Sequence, residues 1–294
     1  MLGILSSTAK KETHLKYFYH MLNSYIEYKD KSMFVFTIDD IDFLNKTVSG
    51  NSISKDGMEF IKTSIPSIIF NLTHHRKRTS IKKARKLASR AGVIMINEKN
   101  RFKQYMIMEM LSSNMQTQDI VLKYKTRMKK DIEKYKDGFF VLSEKGYDYS
   151  NTGHLSDKHK FIIFNKQDLL LHNDYPIIIT LYAQRGIEGA WKVLPGRQNP
   201  EGIVESDALF EKIKLAAIES AEWISCFIPI LGFSTVNFVL DKNFNPYLVS
   251  LNGWDPKILH ENSDNKIGID FMNNLFDYTS FLSIKQRGGV NHVD

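Results

Sequence analysis

A hydroxyl and a carboxamide, Ser250 and Asn252, stand two residues apart where an apolar segment runs into the polar corner Asn252-Gly253-Trp254-Asp255-Pro256. A catalytic apparatus, if the chain carries one, is expected at this corner. The residues before it read as two buried strands joined by a turn. Val236, Phe238 and Leu240 alternate along the first, Asn243 to Pro246 has turn chemistry, and Tyr247 to Leu251 is again strand-like. The second strand thus delivers Asn252 to its end, where an Asn could equally satisfy backbone groups of the turn.

Other chemistry-bearing residues exclude several classes. His74 and His75 are adjacent, so they point to opposite faces of a strand or diverge by about 100° on a helix, and they cannot form a compact metal pair alone. His154, His159 and His172 have neither a nearby Cys nor helical i, i+4 spacing. No Gly-x-Ser-x-Gly, Walker-type or Cys-x-x-Cys motif occurs. The single cysteine, Cys226, cannot form an intrachain disulfide, fits a reducing compartment and is expected to be a small buried hydrophobe. Residues 74 to 103 carry eleven Lys/Arg against one acid, Glu98. Clustered cations attract phosphates, yet the run has few aromatics for base stacking and no nucleic-acid motif. It reads as a solvated helix face or a surface for an acidic partner, with nucleic acid as the lesser alternative.

The elements that position these residues follow from periodicity. With 294 residues, 43% hydrophobic and 25% charged, the chain can build a large core. The apolar run Leu2 to Leu5, a helical stretch around Tyr17 to Tyr28 and the strand Met33 to Thr37 suggest a small α/β unit. Asp39-Asp40-Ile41-Asp42 is a helix start or turn, Val48 to Met58 is hairpin-like, and Ser67 to Asn71 is a strand. A basic amphipathic helix follows, with Ile81, Ala84, Ala88 and Ala91 at helical spacing, then the apolar run Val93 to Ile96. A second helix is expected over Arg101 to Leu111, with Phe102, Met106, Met110 and Leu111 facing the core. Ile120 to Lys136 is expected to be helical in its second half. Strands are expected at Phe139 to Leu142, Phe161 to Phe164, Ile177 to Gln184 and Trp191 to Leu194, with a polar loop over Glu144 to Lys160. Asp207 to Cys226 is the clearest helix, its apolar face formed by Leu209, Phe210, Ile213, Ala217, Ala221 and Ile224. The net charge of +7 is uneven: the first 203 residues are basic and the remainder acidic, so the two parts could face each other across a cleft. No apolar stretch reaches the ~20 residues that span a bilayer, and the beginning lacks a signal-peptide pattern, so no membrane partner and a cytoplasmic location are expected.

Taken in order, several short segments resemble the YheC/YheD family of ATP-grasp proteins, the endospore coat-associated proteins. They are Leu2 to Leu5, Val35-Phe36-Thr37 with Asp39 to Asp42, Phe70-Asn71 with the following basic residues, and Ile96-Asn97 with Phe102-Lys103-Gln104-Tyr105. Trp191 with Arg197 and the ending Leu251 to Pro256 complete the series. The resemblance covers nearly the whole chain and implies a mixed α/β and α+β, ATP-grasp-like architecture. Its expected parts are an N-terminal α/β domain over residues 1–96, clamp subdomains over 97–170 and 171–285, and a flexible tail over 286–294. Lys103, Arg197 and Asn252 are the nucleotide-site residues that it retains. Other positions depart from the family. Ser250 stands where the family's Glu-x-Asn has its Glu, and the other metal carboxylate falls near Asn237. Ile178-Ile179-Thr180 stands in place of Asp-x-Arg, and Val141-Leu142-Ser143 lacks the Lys-Pro. The phosphate loop, Glu144 to Gly153, has two glycines and the bulky Tyr147 and Tyr149. Mg²⁺ usually relies on carboxylates, so the resemblance implies a catalytically degenerate member associated with the spore coat, with no cofactor and with spore-coat proteins as partners. The alternative is an active ATP-dependent carboxylate–amine ligase that uses ATP and Mg²⁺, with Asp148, Asp241 or Asp255 supplying a displaced carboxylate.

Overall fold

The computed structural model describes residues 1–294 apart from 25–27, 29, 76, 136–137, 144–159, 168, 174, 197–206, 257, 260–265 and 289–294. The chain opens as a strand–helix–strand unit: β1 (Leu2–Ser6), α1 (Lys11–Ser24) and β2 (Met33–Thr37). A short 3₁₀ turn over Ile38–Asp40 follows, in which the Asp40 carboxylate accepts the Thr37 N–H at 2.8 Å. Next come β3 (Ile41–Asp42), the hairpin β4 (Thr47–Ser54) and β5 (Gly57–Ser64), β6 (Ile68–Asn71), α2 (Arg78–Ala88) and β7 (Ile94–Ile96). They form one sheet in the order β3-β4-β2-β1-β6-β7, with β5 on β4; β2, β1, β6 and β7 run parallel. Every residue of β1, β2 and β6 is buried, as a parallel sheet covered on both faces requires.

A three-stranded antiparallel sheet follows α3 (Gln104–Ser112). Its strands are β8 (Tyr124–Met128), β9 (Phe139–Ser143) and β10 (Lys160–Asn165), in the order β8-β10-β9. Beyond the small pair β11 (Leu171–His172) and β12 (Tyr175–Pro176) come β13 (Ile178–Arg185), β14 (Trp191–Pro195), α4 (Asp207–Ser225), β15 (Phe233–Leu240) and β16 (Pro246–Asn252). These four strands form the antiparallel sheet β14-β13-β15-β16. One face, with Leu181, Ala183, Val236, Phe238, Leu248 and Leu251, packs on Ile107, Met108 and Leu111 of α3 and on Ile213, Ala217, Ala221 and Ile224 of α4. On the other face, Val239 and Val249 meet Phe140, Leu142, Ile162 and Phe164 of the three-stranded sheet.

The closing helix, α5 (Lys266–Gly288), joins the N-terminal sheet to the C-terminal one. Its Phe271, Met272, Leu275 and Phe276 enter the core of α1 and β1, and full burial of each stabilises by about 2 kcal/mol. Gln184 Nε2 donates to Phe271 O at 3.0 Å, and the single hydroxyl hydrogen of Tyr28 is shared between Ile269 O at 3.1 Å and Asn273 Oδ1 at 3.0 Å.

Most expected strands form where periodicity placed them, and four readings change. Helix α5 has no counterpart in the sequence reading and carries Gln286 to Gly288, read as the start of a tail, within its bounds. Tyr124–Met128 is a strand, and only Lys129–Tyr135 coils, as a 3₁₀ helix. In α3 the inward residues are Ile107 and Met108, whereas Met106 is 43% exposed and Met110 half-buried. Cys226 is exposed rather than buried, because α4 ends at Ser225 and the chain turns outward there.

Candidate functional site

Three polar side chains lie abreast on the sheet face that looks toward the three-stranded sheet. The strand register pairs Thr180 of β13 with Asn237 of β15, and Asn237 with Ser250 of β16. A register shift makes the second pairing possible. Phe238 pairs with Leu248 but Asn237 with Ser250, so Val249 is an extra residue in β16. Without this bulge Val249 would stand opposite Asn237. Thr180 donates its hydroxyl hydrogen to Asn237 Oδ1 at 2.7 Å, and Asn237 Nδ2 donates to Ser250 Oγ at 2.7 Å. Ser250 is 1% exposed. The row is neutral from end to end, and both ends of the Asn237 amide are engaged within it.

Asn252 closes the same strand and pairs with Thr235. Its Oδ1 accepts the Phe102 N–H at 3.3 Å and Gln104 Nε2 at 3.2 Å, so it anchors the start of α3. Gln104, fully buried, adds two contacts to the edge of β16: Oε1 accepts the Leu251 N–H at 2.8 Å and Nε2 donates to Leu251 O at 3.0 Å. β16 is the last strand of its sheet, and the Gln104 amide stands in for the missing neighbour there. Lys103, next in sequence, is exposed. Its Nζ lies 5.7 Å from the Tyr105 ring centre, and Lys160 of β10 approaches the same ring at 4.8 Å. The structure thus brings Lys103 and Asn252 to one turn around Phe102. Arg197 and the loop Glu144 to Gly153, with Asp148, lie outside the described residues.

The corner is held by three buried asparagines, Asn71, Asn97 and Asn100, to which periodicity assigns no role. Asn71 Nδ2 donates to the carbonyls of Asn97 (2.9 Å) and Glu98 (3.1 Å). Asn97 has a left-handed backbone, φ 59°, which Asn tolerates better than most residues. Its Oδ1 accepts the Gly232 and Phe233 N–H groups at 2.8 and 3.0 Å. Asn100 Nδ2 donates to the carbonyls of Asn71 and Thr73, and its Oδ1 accepts the Trp254 N–H at 2.7 Å. An apolar strand ending in a single Asn, as in Phe70-Asn71 and Ile96-Asn97, was the available signal. Gly253 is demanded by this network, since a Cβ there would lie 2.5 Å from Asn100 Oδ1.

Of the carboxylates expected as substitutes, Asp241 has other work. Burial pushes the Asp241 carboxyl up, but hydrogen bonds from Asn245 and Asn243, with Lys212 nearby, more than offset this and hold it below the usual range. Asp241 Oδ1 accepts the Asn243 and Asn245 N–H groups, both at 2.8 Å, so this side chain builds the β15–β16 turn. Asp255 is half-buried in the corner itself. Among the described residues no group of three or more His, Cys, Asp or Glu is placed to hold a metal ion.

No family model and no curated protein matches this chain. Solved structures do. The D-alanine-D-alanine ligase from Coxiella burnetii aligns at a TM-score of 0.58 and 12% identity, covering 99% of this chain and 97% of that one. The D-alanyl-alanine synthetase A from Vibrio cholerae gives 0.56 at 14% identity, over 99% and 98% of the two chains. The D-alanine-D-alanine ligase from Helicobacter pylori gives 0.54 at 14%, over 94% and 96%. The chain has an ATP-grasp-like fold. ATP and Mg²⁺ are the groups that this fold implies. At Asn237 and Ser250 the chain offers an amide and a hydroxyl bonded to each other, a donor set that does not fit a hard divalent cation bound through carboxylates.

Proposed function

We propose that this chain is a non-catalytic ATP-grasp-fold protein of the YheC/YheD type, a binding or assembly component associated with the bacterial endospore coat. The observation that carries the reading is the neutral row Thr180–Asn237–Ser250: Asn237 and Ser250 stand where the resemblance puts the metal carboxylates, and Thr180 lies in the segment that replaces Asp-x-Arg. Phosphoryl transfer depends on electrostatic stabilisation of developing charge, and a site without carboxylate-bound metal loses several kcal/mol of it. The spore-coat association rests on the sequence resemblance alone. An acidic partner fits the exposed cations of α2, Arg78, Lys82, Arg85 and Lys86, which cover one side of the N-terminal sheet.

The test is calorimetric titration of the intact protein with ATP, with and without Mg²⁺, followed by addition of amino-acid and peptide acceptors. The reading expects no Mg²⁺-dependent heat and no ADP. Mg²⁺-dependent binding with ADP release on adding an acceptor establishes the ligase instead, as the names of the solved neighbours would have it.

A further inference from the structure

A cavity of about 160 Å³ opens beyond the carboxyl ends of β6 and β7, the place where open parallel sheets accept ligands. Three segments line it: the loop after β6, one side of α2 and the segment after β7. They contribute His74, His75, Arg85, Lys99 and Arg101, against the single carboxylate of Glu98. We propose that this cavity binds the phosphate group of a small phosphorylated molecule.

Two guanidiniums and one ammonium outweigh one carboxylate, which leaves an excess of positive charge that a phosphate monoester, at about −1.5 to −2, matches better than a carboxylate does. Arginine forks suit phosphate oxygens in particular. His75 adds directional chemistry. Thr73 donates its hydroxyl hydrogen to Asn71 Oδ1 at 2.6 Å, so toward His75 Nε2, at 2.8 Å, the same oxygen accepts. The Nε2–H tautomer is therefore fixed and Nδ1 is left as an acceptor. Burial lowers the His75 pKa, with Asp39 opposing, and a neutral Nδ1 can accept a hydrogen bond from an O–H of the bound molecule. Ile81 and the buried Ala84 supply an apolar wall for a short carbon body.

The experiment is calorimetry on the intact protein in Mg²⁺-free buffer, with glycerol 3-phosphate, inorganic phosphate, acetate and a short oligothymidylate as probes. The expected result is saturable one-to-one binding of glycerol 3-phosphate. It weakens about tenfold or more in the Arg85→Gln/Lys99→Gln variant, the loss of charge-assisted bonds. Lys55→Gln/Lys62→Gln, which removes two exposed cations outside the cavity, should leave it within about twofold. All four residues are exposed, and matching thermal melts verify the fold of both variants. Absence of saturable phosphate binding, equal weakening by the two variants, equal affinity for acetate, or tighter binding of the oligonucleotide each overturns the proposal. The cavity shares no residue with Thr180, Asn237 or Ser250, and the probes need no metal, so the outcome is independent of the non-catalytic reading.

Discussion

Replacing Gln104 by Ala tests whether the strand that ends in Asn252 is held by a side chain standing in for a strand. The change removes the acceptor of the Leu251 N–H and the donor to Leu251 O, and takes one of the hydrogen bonds to Asn252 Oδ1. An orphaned buried polar group costs about 1–3 kcal/mol. Two backbone groups of a fully buried residue are orphaned, and Asn252 Oδ1 keeps the Phe102 N–H. The expected loss is about 3 kcal/mol, toward the lower end because water can reach a strand at the sheet edge. Gln104→Glu sharpens the test. Its carboxylate would face the carbonyls of Leu251 and Phe102, which Nε2 now serves, so the folded-state pKa rises above the ordinary Glu value. Stability tied to a raised pKa is present at low pH and lost as pH rises through it, so the Glu variant should fall further below wild type near pH 8 than near pH 5. Urea unfolding followed by circular dichroism at both pH values reads these differences. An Ala variant within about 0.5 kcal/mol of wild type would refute the reasoning.

Gly253→Ala places a Cβ 2.5 Å from Asn100 Oδ1 and 2.8 Å from Asn100 Cα. Backbone cannot step aside as a flexible side chain does, so thermal denaturation should show a loss of about 3 kcal/mol, and an unchanged melting temperature would contradict the packing described. Asp39 accepts a 2.7 Å hydrogen bond from Lys83, which holds its carboxyl below the usual range. The associated stability is present above the unfolded-state pKa and lost as pH falls through the folded one. Lys83→Ala should raise the Asp39 pKa in an NMR titration, and an unmoved titration would remove the pair from the account.

The strands were legible because β-branched and aromatic residues recur in short runs, as in Met33-Phe34-Val35-Phe36 and Phe161-Ile162-Ile163-Phe164. Helix α4 was legible from its apolar stripe. Helix α5 was not: Phe271, Met272, Leu275 and Phe276 have helical spacing but are interrupted by Asn273, Asn274 and Asp277. Asn273 and Asn274 bond to Tyr28 and Gln184, which are distant in sequence. Strand β8 hid because Tyr-Lys-Thr-Arg-Met alternates half-buried with exposed residues and leaves little apolar signal. At the candidate site, the corner and Asn252 were visible as polar residues ending an apolar strand. The row Thr180–Asn237–Ser250 was not, since it depends on registers among three strands and on a one-residue bulge. Gln104 escaped for a similar reason, because its partners lie about 150 residues away.

We propose that the neutral hydrogen bonds among Thr180, Asn237 and Ser250 close this face of the ATP-grasp-like fold and offer no carboxylate to a metal-bound triphosphate. Titration of wild-type protein with ATP at millimolar Mg²⁺ and with EDTA tests it most directly. Indistinguishable heats in the two buffers are predicted. Saturable binding present only with Mg²⁺ would contradict the claim.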